Sequence, residues 1–425
     1  MASNIGIELQ DSVAMLNVTH KTKKRVWIFL SVIMLLVGAK CCWVKCATTG
    51  QGSFEGEKKE IVRRANYLTA KVATSPQQLL DEMPSGIGTQ FQGEWALYTC
   101  SMTCAALANI AIIYPQNKEL SIKFIGKIID IAMTEEIREY DRLRWREDPM
   151  DGIYGNLSHI SYYSHLAWMI SRYKQIGGDR KYDGLYHTLC RSMNRRIRQS
   201  PIMNLPTYPG ESIYIPDMLV AIVALDNYAS QYNGDYSSTV KLWIERAKKE
   251  WIDQETGLLA SFLENNNGKS QIVLPVKGSY SALNCYYLSL VDSEFAQGQY
   301  ELLKKHFKQE YPVTGIKEYY DKFCLIGMDI DAGPIIFNLS PSGTAFAIGC
   351  ATSMDDTEFR NKLLKTAEIA GSTIKWFDKS HYLLANVALV GEAIALAMRT
   401  SAPQTSLKKL KSPSPSPLAI ILKNS

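Results

Sequence analysis

Residues 208–217, which read Tyr-Pro-Gly-Glu-Ser-Ile-Tyr-Ile-Pro-Asp, combine two carboxyl groups with two tyrosines. Pro216 and Asp217 fall just inside the predicted start of a helix that is then apolar for eight residues. Asp217 has an ordinary structural explanation, because its negative charge stabilises a helix N-terminus through the helix dipole. Glu211 lies in the loop before the helix and has no comparable local role. Two such carboxyl groups act as acid and base when burial raises the pKa of one of them. The sequence therefore predicts Glu211 as the main acid/base of a site, with Asp217 as a second catalytic residue.

A second cluster combines histidines with tyrosines within residues 154–165. His159 and Tyr163 are four residues apart, and Tyr162 and His165 are three apart, so each pair shares one face of a predicted helix. A lone histidine in this setting is most often a core residue with satisfied hydrogen bonds, and that alternative stays open. Because several tyrosines accompany the histidines, we predict that His165 and Tyr163 are catalytic residues that position or share protons.

Further acidic and aromatic residues are predicted to bind the substrate. An acidic side chain near the start of a helix, such as Glu94, also stabilises the helix N-terminus through the helix dipole. A structural role for Glu94 therefore stays open. Asp329 and Asp331 are separated by one isoleucine, which places both carboxylates on one side of an extended chain. The predicted substrate-binding residues are Glu94, Tyr98, Tyr214, Asp329 and Asp331.

Motifs with well-defined chemistry are missing from the sequence. It contains no HExxH, no GxSxG, no P-loop and no GxGxxG after a predicted strand. Zinc proteases, serine hydrolases, nucleotide-driven enzymes and dinucleotide oxidoreductases are therefore not leading candidates. Two aspartates alone are a weak calcium signal, so neither a metal nor an organic cofactor is predicted. The six cysteines after residue 99 lack metal-type spacing and are predicted to be buried free thiols, with one or two disulfides as the alternative.

The elements that position these residues are predicted to be almost entirely helical. Apolar residues recur at helical spacing from about residue 57 onward, and only Ser270–Val276 and Ile335–Leu339 show the pattern of short strands. The predicted helices lie near residues 57–73, 93–113, 119–138, 159–176, 180–198, 215–232, 237–252, 279–290, 293–309, 343–353, 356–373 and 382–399.

These helices are of two kinds. Val240–Trp251 is amphipathic and charged, whereas Cys104–Ile113, Met218–Leu225 and Ala385–Ala397 are apolar on nearly every side. A helix of the second kind has to be buried on all sides. Alternating inner and outer helices predict an all-α fold, an (α/α)6 toroid of six helical hairpins, as one domain over residues 45–400. No fixed sequence period, which would indicate a solenoid, is visible.

The amino-terminal segment carries a membrane signal. Val26–Ala39 is an uninterrupted apolar run of fourteen residues, which is short for a membrane span, and Cys41–Val44 extend it beyond Lys40. We predict a retained signal anchor, a transmembrane helix over residues 26–44, because Lys40 can snorkel; a cleaved signal peptide and a buried soluble helix are the alternatives. The basic residues of Lys21–Arg25 predict that residues 1–25 are cytoplasmic and that the toroid lies on the exported side, periplasmic or extracellular.

The net charge of +5 resides at the two ends of the chain. Residues 1–25 carry two more basic than acidic side chains and residues 401–425 carry four more, which leaves −1 for the 375 residues between them. Nucleic-acid binding needs clustered basic residues, so no nucleic-acid partner is predicted. Residues 401–425, rich in Ser, Pro and Lys, are predicted to be a disordered tail.

Short motifs lie in order between residues 90 and 400: Tyr163-Ser-His165-Leu, the Pro209–Pro216 stretch with Glu211, and Asp329-Ile-Asp-Ala-Gly-Pro334 followed by Ser342-Gly-Thr. In order and layout these motifs resemble the linalool dehydratase/isomerase-like family. The resemblance implies an (α/α)6 toroid of the six-hairpin glycosidase-like group. It also implies that a tertiary or allylic terpene alcohol loses water, or has its hydroxyl moved, without an organic cofactor.

Carried over by motif, the resemblance puts His165 and Glu211 in the pocket, with Glu94 as a looser match. The family has one cysteine immediately before the glutamate and another near the following helix start. This sequence has Gly210 at the first place and Asp217 near the second.

The sequence as a whole predicts a membrane-anchored toroid enzyme that uses acid/base chemistry on a small-molecule alcohol or a glycan. It is then either a cofactor-independent lyase or isomerase, or a glycoside hydrolase. Two acids flanking a cleft indicate a glycosidase, whereas a small closed apolar pocket indicates dehydration. The alternative from another class is a non-catalytic, membrane-tethered protein that binds a glycan or another ligand.

Overall fold

The computed structural model describes residues 54–84, 88–232 and 236–401, together with Gly38. The chain divides into two compact units, residues 1–50 and 51–425, and all the elements below belong to the second. The predicted anchor, apart from Gly38, and the predicted tail, apart from Ser401, lie outside the described residues.

The described residues between 54 and 401 form fourteen α-helices. In chain order they are α1 (Phe54–Val72), α2 (Pro76–Asp81), α3 (Thr89–Ile113), α4 (Lys118–Ala132), α5 (Glu135–Trp145), α6 (Ile160–Gln175), α7 (Asp183–Gln199), α8 (Ile215–Tyr232), α9 (Ser237–Glu250), α10 (Gly278–Val291), α11 (Ser293–Phe307), α12 (Pro341–Ser353), α13 (Thr357–Gly371) and α14 (Leu389–Arg399).

Six of these helices form a closed inner ring. Helix α3 packs against α6, α6 against α8, α8 against α10, α10 against α12, α12 against α14, and α14 returns to α3. Six others, α1, α4, α7, α9, α11 and α13, alternate with them along the chain and pack on the outside of the ring. The observed architecture is therefore all-α in its framework and consistent with the predicted (α/α)6 toroid.

The inner helices are the ones that are apolar on nearly every side. In α8, the residues from Ile215 to Leu225 are all buried. Among the described residues, Phe91–Ile113 is the helix long and apolar enough to cross a membrane, and it is mostly buried as inner helix α3. Small residues let these helices approach closely: a Cβ at Gly349 of α12 would lie 2.5 Å from Met398 Sδ of α14.

Short antiparallel strands lie at one end of the ring. They are β1 (Ile213–Tyr214), β2 (Phe262–Asn266), β3 (Lys269–Ile272), β4 (Lys308–Gln309), β5 (Gly315–Ile316), β6 (Ile326–Asp329), β7 (Gly333–Ile336), β8 (Thr373–Trp376) and β9 (Lys379–Tyr382). Strands β1, β2 and β3 form one sheet, and the others form the hairpins β4–β5, β6–β7 and β8–β9. Each described strand lies in a connection that leads from an outer helix to an inner one. The strands therefore surround the mouth at which the inner helices begin.

Several predicted boundaries differ from the observed ones. The predicted helix over residues 119–138 is two helices, because α4 ends at Ala132 and α5 begins at Glu135. The predicted helix over 382–399 begins only at Leu389, since residues 379–382 form β9 and 383–386 form a 3-10 turn. The hairpin β8–β9 was not predicted at all. Both predicted strands are shifted, to Lys269–Ile272 and Gly333–Ile336.

Buried ion pairs join the first helix of the toroid to the last two. Glu57 of α1 accepts hydrogen bonds from Arg360 of α13 at 2.8 Å and from Arg399 of α14 at 2.5 Å. Arg64 of α1 donates to Glu392 of α14 at 2.6 Å. Burial alone would raise the pKa of Glu57, but the charges and hydrogen bonds of the two arginines outweigh it and lower that pKa. These pairs hold the two ends of the ring together, and we refer to them as the seam.

Loss of the Glu57 charge should destabilise the seam. We expect Glu57→Gln to lower the free energy of unfolding by about 3–5 kcal/mol, because two buried arginines then lose their counter-ion. Urea unfolding followed by the helical circular-dichroism signal measures the change. Glu55→Gln on the same helix is the matched control, since the Glu55 side chain is 80% exposed and should change stability by less than about 0.5 kcal/mol. Equal effects of the two substitutions would contradict a role for the seam in stability.

Candidate active site

Polar side chains from the beginnings of the inner helices lie at one mouth of the ring. Inner and outer helices alternate along the chain, so the inner helices all begin at the same mouth. Glu94 and Tyr98 lie in the second and third turns of α3, and His165 lies in the second turn of α6. Asp217 and Tyr280 are each the third residue of their helices, α8 and α10.

Asp217 and His165 form a buried polar pair. The Tyr98 hydroxyl donates to Asp217 Oδ1 at 2.7 Å, and His165 Nδ1 lies 2.8 Å from Ser101 Oγ. His165 Nε2 is 3.7 Å from Asp217 Oδ1, which is too long for a hydrogen bond. Among the described residues, neither His165 Nε2 nor Asp217 Oδ2 has a hydrogen-bond partner, although both side chains are buried. Because buried polar atoms are nearly always hydrogen-bonded, these two atoms keep hydrogen-bonding capacity that is free for a bound molecule.

Glu94 has the properties of a proton donor. Its Oε1 accepts a hydrogen bond from the Tyr208 hydroxyl at 3.2 Å. Burial raises the pKa of Glu94 to about 8 and the charge of Asp217 adds to the shift, whereas the hydrogen bond from Tyr208 opposes it. At neutral pH the carboxyl group is therefore mostly protonated, while the residue keeps partial exposure to solvent. A protonated, reachable carboxyl group is what general acid catalysis needs.

The glycine before Glu94 allows this arrangement. A Cβ at Gly93 would lie 2.4 Å from Tyr140 Cδ1, closer than side chains approach. Because Gly93 has no Cβ, the Tyr140 ring packs directly against α3. The Tyr140 hydroxyl lies 3.1 Å from the Tyr208 hydroxyl. Tyr208 is also stacked on Trp145, with ring centroids 3.8 Å apart. These contacts fix Tyr208 and, through it, the carboxyl group of Glu94.

Three aromatic rings form a wall at the mouth. The Tyr214 ring stacks on Phe262 at a centroid distance of 4.9 Å and meets Tyr280 edge-on at 5.6 Å. Tyr214 and Phe262 are partly exposed, and Tyr280 is buried. Flat aromatic faces next to carboxyl groups suit a ligand that has both apolar faces and hydroxyl groups, such as a sugar ring.

The two aspartates of the β6–β7 hairpin have different surroundings. Asp329 forms an ion pair with Lys277 at 2.7 Å and accepts hydrogen bonds from the backbone N–H groups of Asp331 and Ala332. Burial opposes these contacts, which together lower the pKa of Asp329. Asp331 Oδ2 accepts a hydrogen bond from the Tyr280 hydroxyl at 2.7 Å, and the residue is exposed. Asp329 therefore stabilises the turn, whereas Asp331 faces outward.

Glu211 lies at the rim of the mouth. Its side chain is 40% exposed and accepts a hydrogen bond from Arg144 Nη2 at 3.0 Å. Arg144 in turn lies over the rings of Trp145 and Phe91. The structure thus gives Glu211 a surface ion pair, and no described contact joins it to Asp217 or His165.

Tyr163 belongs to a separate cluster around His159. The Tyr163 hydroxyl donates to the backbone oxygen of Pro149 at 2.7 Å. His159 is buried between Asp141 and Glu147, with a nitrogen 2.8 Å from each carboxylate. Burial opposes the charged imidazolium, but the two carboxylates prevail and raise the pKa of His159. These contacts hold the loop between α5 and α6 in place. No described contact joins Tyr163 to the other predicted catalytic residues.

The structure brings together six of the nine predicted site residues at the mouth: Glu94, Tyr98, His165, Tyr214, Asp217 and Asp331. Tyr208 and Tyr280 hydrogen-bond to Glu94 and Asp331 but are not among the predicted site residues. A signal was available for Tyr280, since it occupies the same third helical position as Asp217. The contact of Tyr208 with Glu94 spans 114 residues and has no local signal.

Within the described residues, no three His, Cys, Asp or Glu side chains are grouped so that they could hold a metal ion. The six described cysteines are free, and five of them are buried.

Comparisons with known proteins give likeness in structure alone. No family model matches the sequence, and no curated protein matches it. An unsaturated glucuronyl hydrolase specific for heparin superposes with a TM-score of 0.54 at 12% identity, covering 83% of this chain and 97% of that one. A family 105 glycoside hydrolase of C. acetobutylicum gives a TM-score of 0.49 at 11% identity, covering 71% and 92%.

An alpha-1,6-mannanase of Salegentibacter sp. gives a TM-score of 0.41 at 11% identity, covering 72% of this chain and 89% of that one. At such identities likeness shows the fold alone, and the superposition with the TM-score of 0.54 is consistent with an (α/α)6 toroid of six helical hairpins. The resemblance to the linalool dehydratase/isomerase-like family is not shown by these matches and stays a prediction.

The ionisation of Glu94 should depend on Asp217. We expect Glu94 to titrate near pH 8 rather than at its ordinary value of 4.5, and Asp217→Asn to lower its pKa because a nearby negative charge is lost. Carbon-13 NMR of labelled glutamate carboxyl groups measures this, with Glu94→Gln to assign the signal. Glu245→Gln, on the exposed side of α9, is the control and should leave the titration unchanged. A Glu94 signal that titrates near pH 4.5 would show that the site is not organised as described.

Proposed function

We propose that this protein is a glycan-cleaving acid/base enzyme in which Glu94 is the general acid and Asp217 the general base. One observation carries the proposal: Glu94, whose pKa burial raises to about 8, lies one helical turn from Tyr98, whose hydroxyl donates to Asp217 Oδ1 at 2.7 Å. A protonated carboxyl group beside a second carboxyl group at one mouth is the kind of pair that glycoside hydrolysis uses.

Two further observations favour a glycan as the substrate. The aromatic wall of Tyr214, Phe262 and Tyr280 offers flat faces for sugar rings. The solved structure with the TM-score of 0.54 is, by its name, a hydrolase specific for heparin, a glycan. Its likeness supports the proposal through the fold, and the choice of residues rests on the geometry of this chain.

In the proposed reaction, the bond between the anomeric carbon and the glycosidic oxygen breaks as a water oxygen bonds to that carbon. Glu94 gives its proton to the leaving glycosidic oxygen. Asp217 receives a proton from the water through Oδ2, the oxygen that has no partner among the described residues. Water is consumed, and the two product ends each gain a hydroxyl group.

Neighbouring side chains position the two carboxyl groups. Tyr98 holds Asp217 Oδ1 and leaves Oδ2 for the water, while His165 Nε2 offers a second polar contact beside it. Tyr208 holds Glu94 Oε1. In this proposal Glu211 and Arg144 form part of the rim, and Tyr163 supports the fold; the assignment of Glu211 as the main acid/base remains the competing hypothesis.

Turnover by variants of the full-length protein tests the proposal. The substrates are a panel of oligosaccharides together with tertiary and allylic alcohols. We expect Glu94→Gln and Asp217→Asn each to lower kcat for glycan cleavage by about 10²–10⁴-fold, because each removes one proton transfer. We also expect activity to fall above about pH 8, as Glu94 loses its proton. NMR of the first-formed product gives the anomeric configuration, which shows whether Asp217 activates water or attacks the sugar.

The same assay separates the competing hypotheses. Glu245→Gln serves as the control carboxylate-to-amide change on an outer helix. A loss confined to Glu211→Gln would return the acid/base role to Glu211, and turnover of alcohols alone would favour dehydration. Glycan binding without turnover in the unmodified protein would identify a non-catalytic binding protein.

We further propose that residues 26–44 anchor the protein in a membrane with the toroid on the exported side. The apolar run and the basic cluster before it support this proposal. Mass spectrometry of the mature protein tests it, since an anchored chain keeps the residues before Ala39. A chain that begins at Lys40 would instead show that the segment is a cleaved signal peptide.

A further inference from the structure

Two exposed aromatic rings form the tip of the β8–β9 hairpin. Trp376 and Phe377 are 70% and 81% exposed, and their ring centroids lie 5.3 Å apart. The hairpin packs on outer helix α1, where the Asn66 side chain donates to the backbone oxygen of Asp378 at 3.1 Å. Large aromatic rings exposed side by side are typical of a surface that meets a partner or a membrane.

Unpaired basic side chains surround these rings. Lys59 and Arg63 of α1 line an open groove of about 710 Å³ together with Phe377. Lys379 is the antiparallel partner of Trp376 across the hairpin. None of these three cations forms an ion pair with another described residue, unlike the lysines that follow below. We refer to Lys59, Arg63, Trp376, Phe377 and Lys379 as the basic aromatic face.

The acidic side chains beside the basic aromatic face do not neutralise it. Glu55 lies 3.6 Å from Lys58, and Glu60 lies 3.8 Å from Lys375, so these charges are already paired. Asp378, at the tip of the hairpin, leaves one negative charge against three unpaired cations. The face therefore fits a partner that combines negative charge with an apolar layer.

The ends of this chain do not have that character, and neither does a second copy. Residues 1–25 carry two more basic than acidic side chains, and residues 401–425 carry four more. A second copy that met the first through the same face would bring the same excess of positive charge. Like charges placed against each other are unfavourable, so the occupant is an anionic surface outside this chain.

The chain places the basic aromatic face within reach of a bilayer. Residues 45–53 join the proposed anchor to Phe54, the first residue of α1, and nine extended residues span at most about 30 Å. The groove of the face begins at Glu55. Tryptophan is enriched at the level of lipid headgroups, and lysine and arginine near a membrane attract anionic lipids. An anionic bilayer thus offers both properties that the face lacks in its surroundings.

We propose, on the basis of the proposed anchor, that the basic aromatic face docks on an anionic phospholipid bilayer. The rings of Trp376 and Phe377 enter the interfacial layer, and Lys59, Arg63 and Lys379 contact lipid phosphates. The toroid then has a membrane contact of its own on the side of α1, in addition to residues 26–44.

Fluorescence quenching by lipids with brominated acyl chains tests this proposal. The full-length protein is mixed with vesicles of phosphatidylcholine, with or without phosphatidylglycerol, and the emission that Trp376→Phe removes is the emission of Trp376. We expect bromine to quench it by at least about twofold when phosphatidylglycerol is present, because the anionic headgroups attract the face. We expect little quenching in phosphatidylcholine alone or at high salt, since salt screens exposed charges.

Variants of the face and matched controls sharpen the test. Lys59→Gln combined with Arg63→Gln should reduce the quenching of Trp376 to its level in phosphatidylcholine alone. Lys241→Gln combined with Lys249→Gln removes two exposed lysines from outer helix α9 and should leave the quenching unchanged. Phe323→Trp combined with Trp376→Phe moves the indole to another site, which is 66% exposed, and should remove the quenching. The helical circular-dichroism signal of each variant should match that of the unmodified protein.

Flotation with the same vesicles separates the basic aromatic face from the anchor. If the protein floats with both kinds of vesicle but Trp376 is not quenched, or is quenched equally without phosphatidylglycerol, this inference is overturned and the anchor stands. A charge variant that behaves like its α9 control also overturns the inference. A protein that floats only with phosphatidylglycerol supports the face and overturns the anchor, and one that floats with neither overturns both.

Discussion

The inner helices are apolar on nearly every side and therefore have to be covered on every side, and this constraint governs the rest of the molecule. A ring of six such helices satisfies it only if the last inner helix packs against the first, as α14 does against α3. The seam pairs of Glu57 and Arg64 lie at that junction. They contribute directional contacts where apolar packing alone would not fix which helices meet.

The closed ring also determines where polar side chains lie close together. Since the inner helices all begin at one mouth, their free backbone N–H groups and dipoles give that mouth a positive bias, which favours carboxylates such as Asp217. The described strands lie in the connections around the same mouth and supply Tyr214, Phe262 and Asp331. Burial and the neighbouring charge of Asp217 outweigh the hydrogen bond from Tyr208 and the charge of Arg144 at Glu94, whose pKa rises. One carboxyl group can therefore hold a proton beside another that accepts a hydrogen bond.

Much of the fold follows from local patterns in the sequence. The apolar inner helices and amphipathic outer helices have the spacing that predicts them, and the described helices begin and end close to the predicted positions for most of the ring. The elements that the sequence does not predict are short ones, among them α2, α5 and the hairpin β8–β9, which packs on α1 about 300 residues earlier in the chain. Such a hairpin depends on a distant surface, so no window of sequence around it reveals the partner.

The candidate site was harder to predict for the same reason. Glu211 is predicted as the main acid/base because no local partner explains it, and its partner in the structure is Arg144, 67 residues away. Asp329 and Asp331 look equivalent in sequence, yet the hairpin turn and Lys277 satisfy Asp329, while Asp331 is left with a tyrosine hydroxyl. Which groups find a partner depends on residues that are distant in sequence, so no local pattern reveals it. Asp217 Oδ2 and His165 Nε2 have no partner among the described residues, and neither has Asp141 Oδ2 in the cluster around His159.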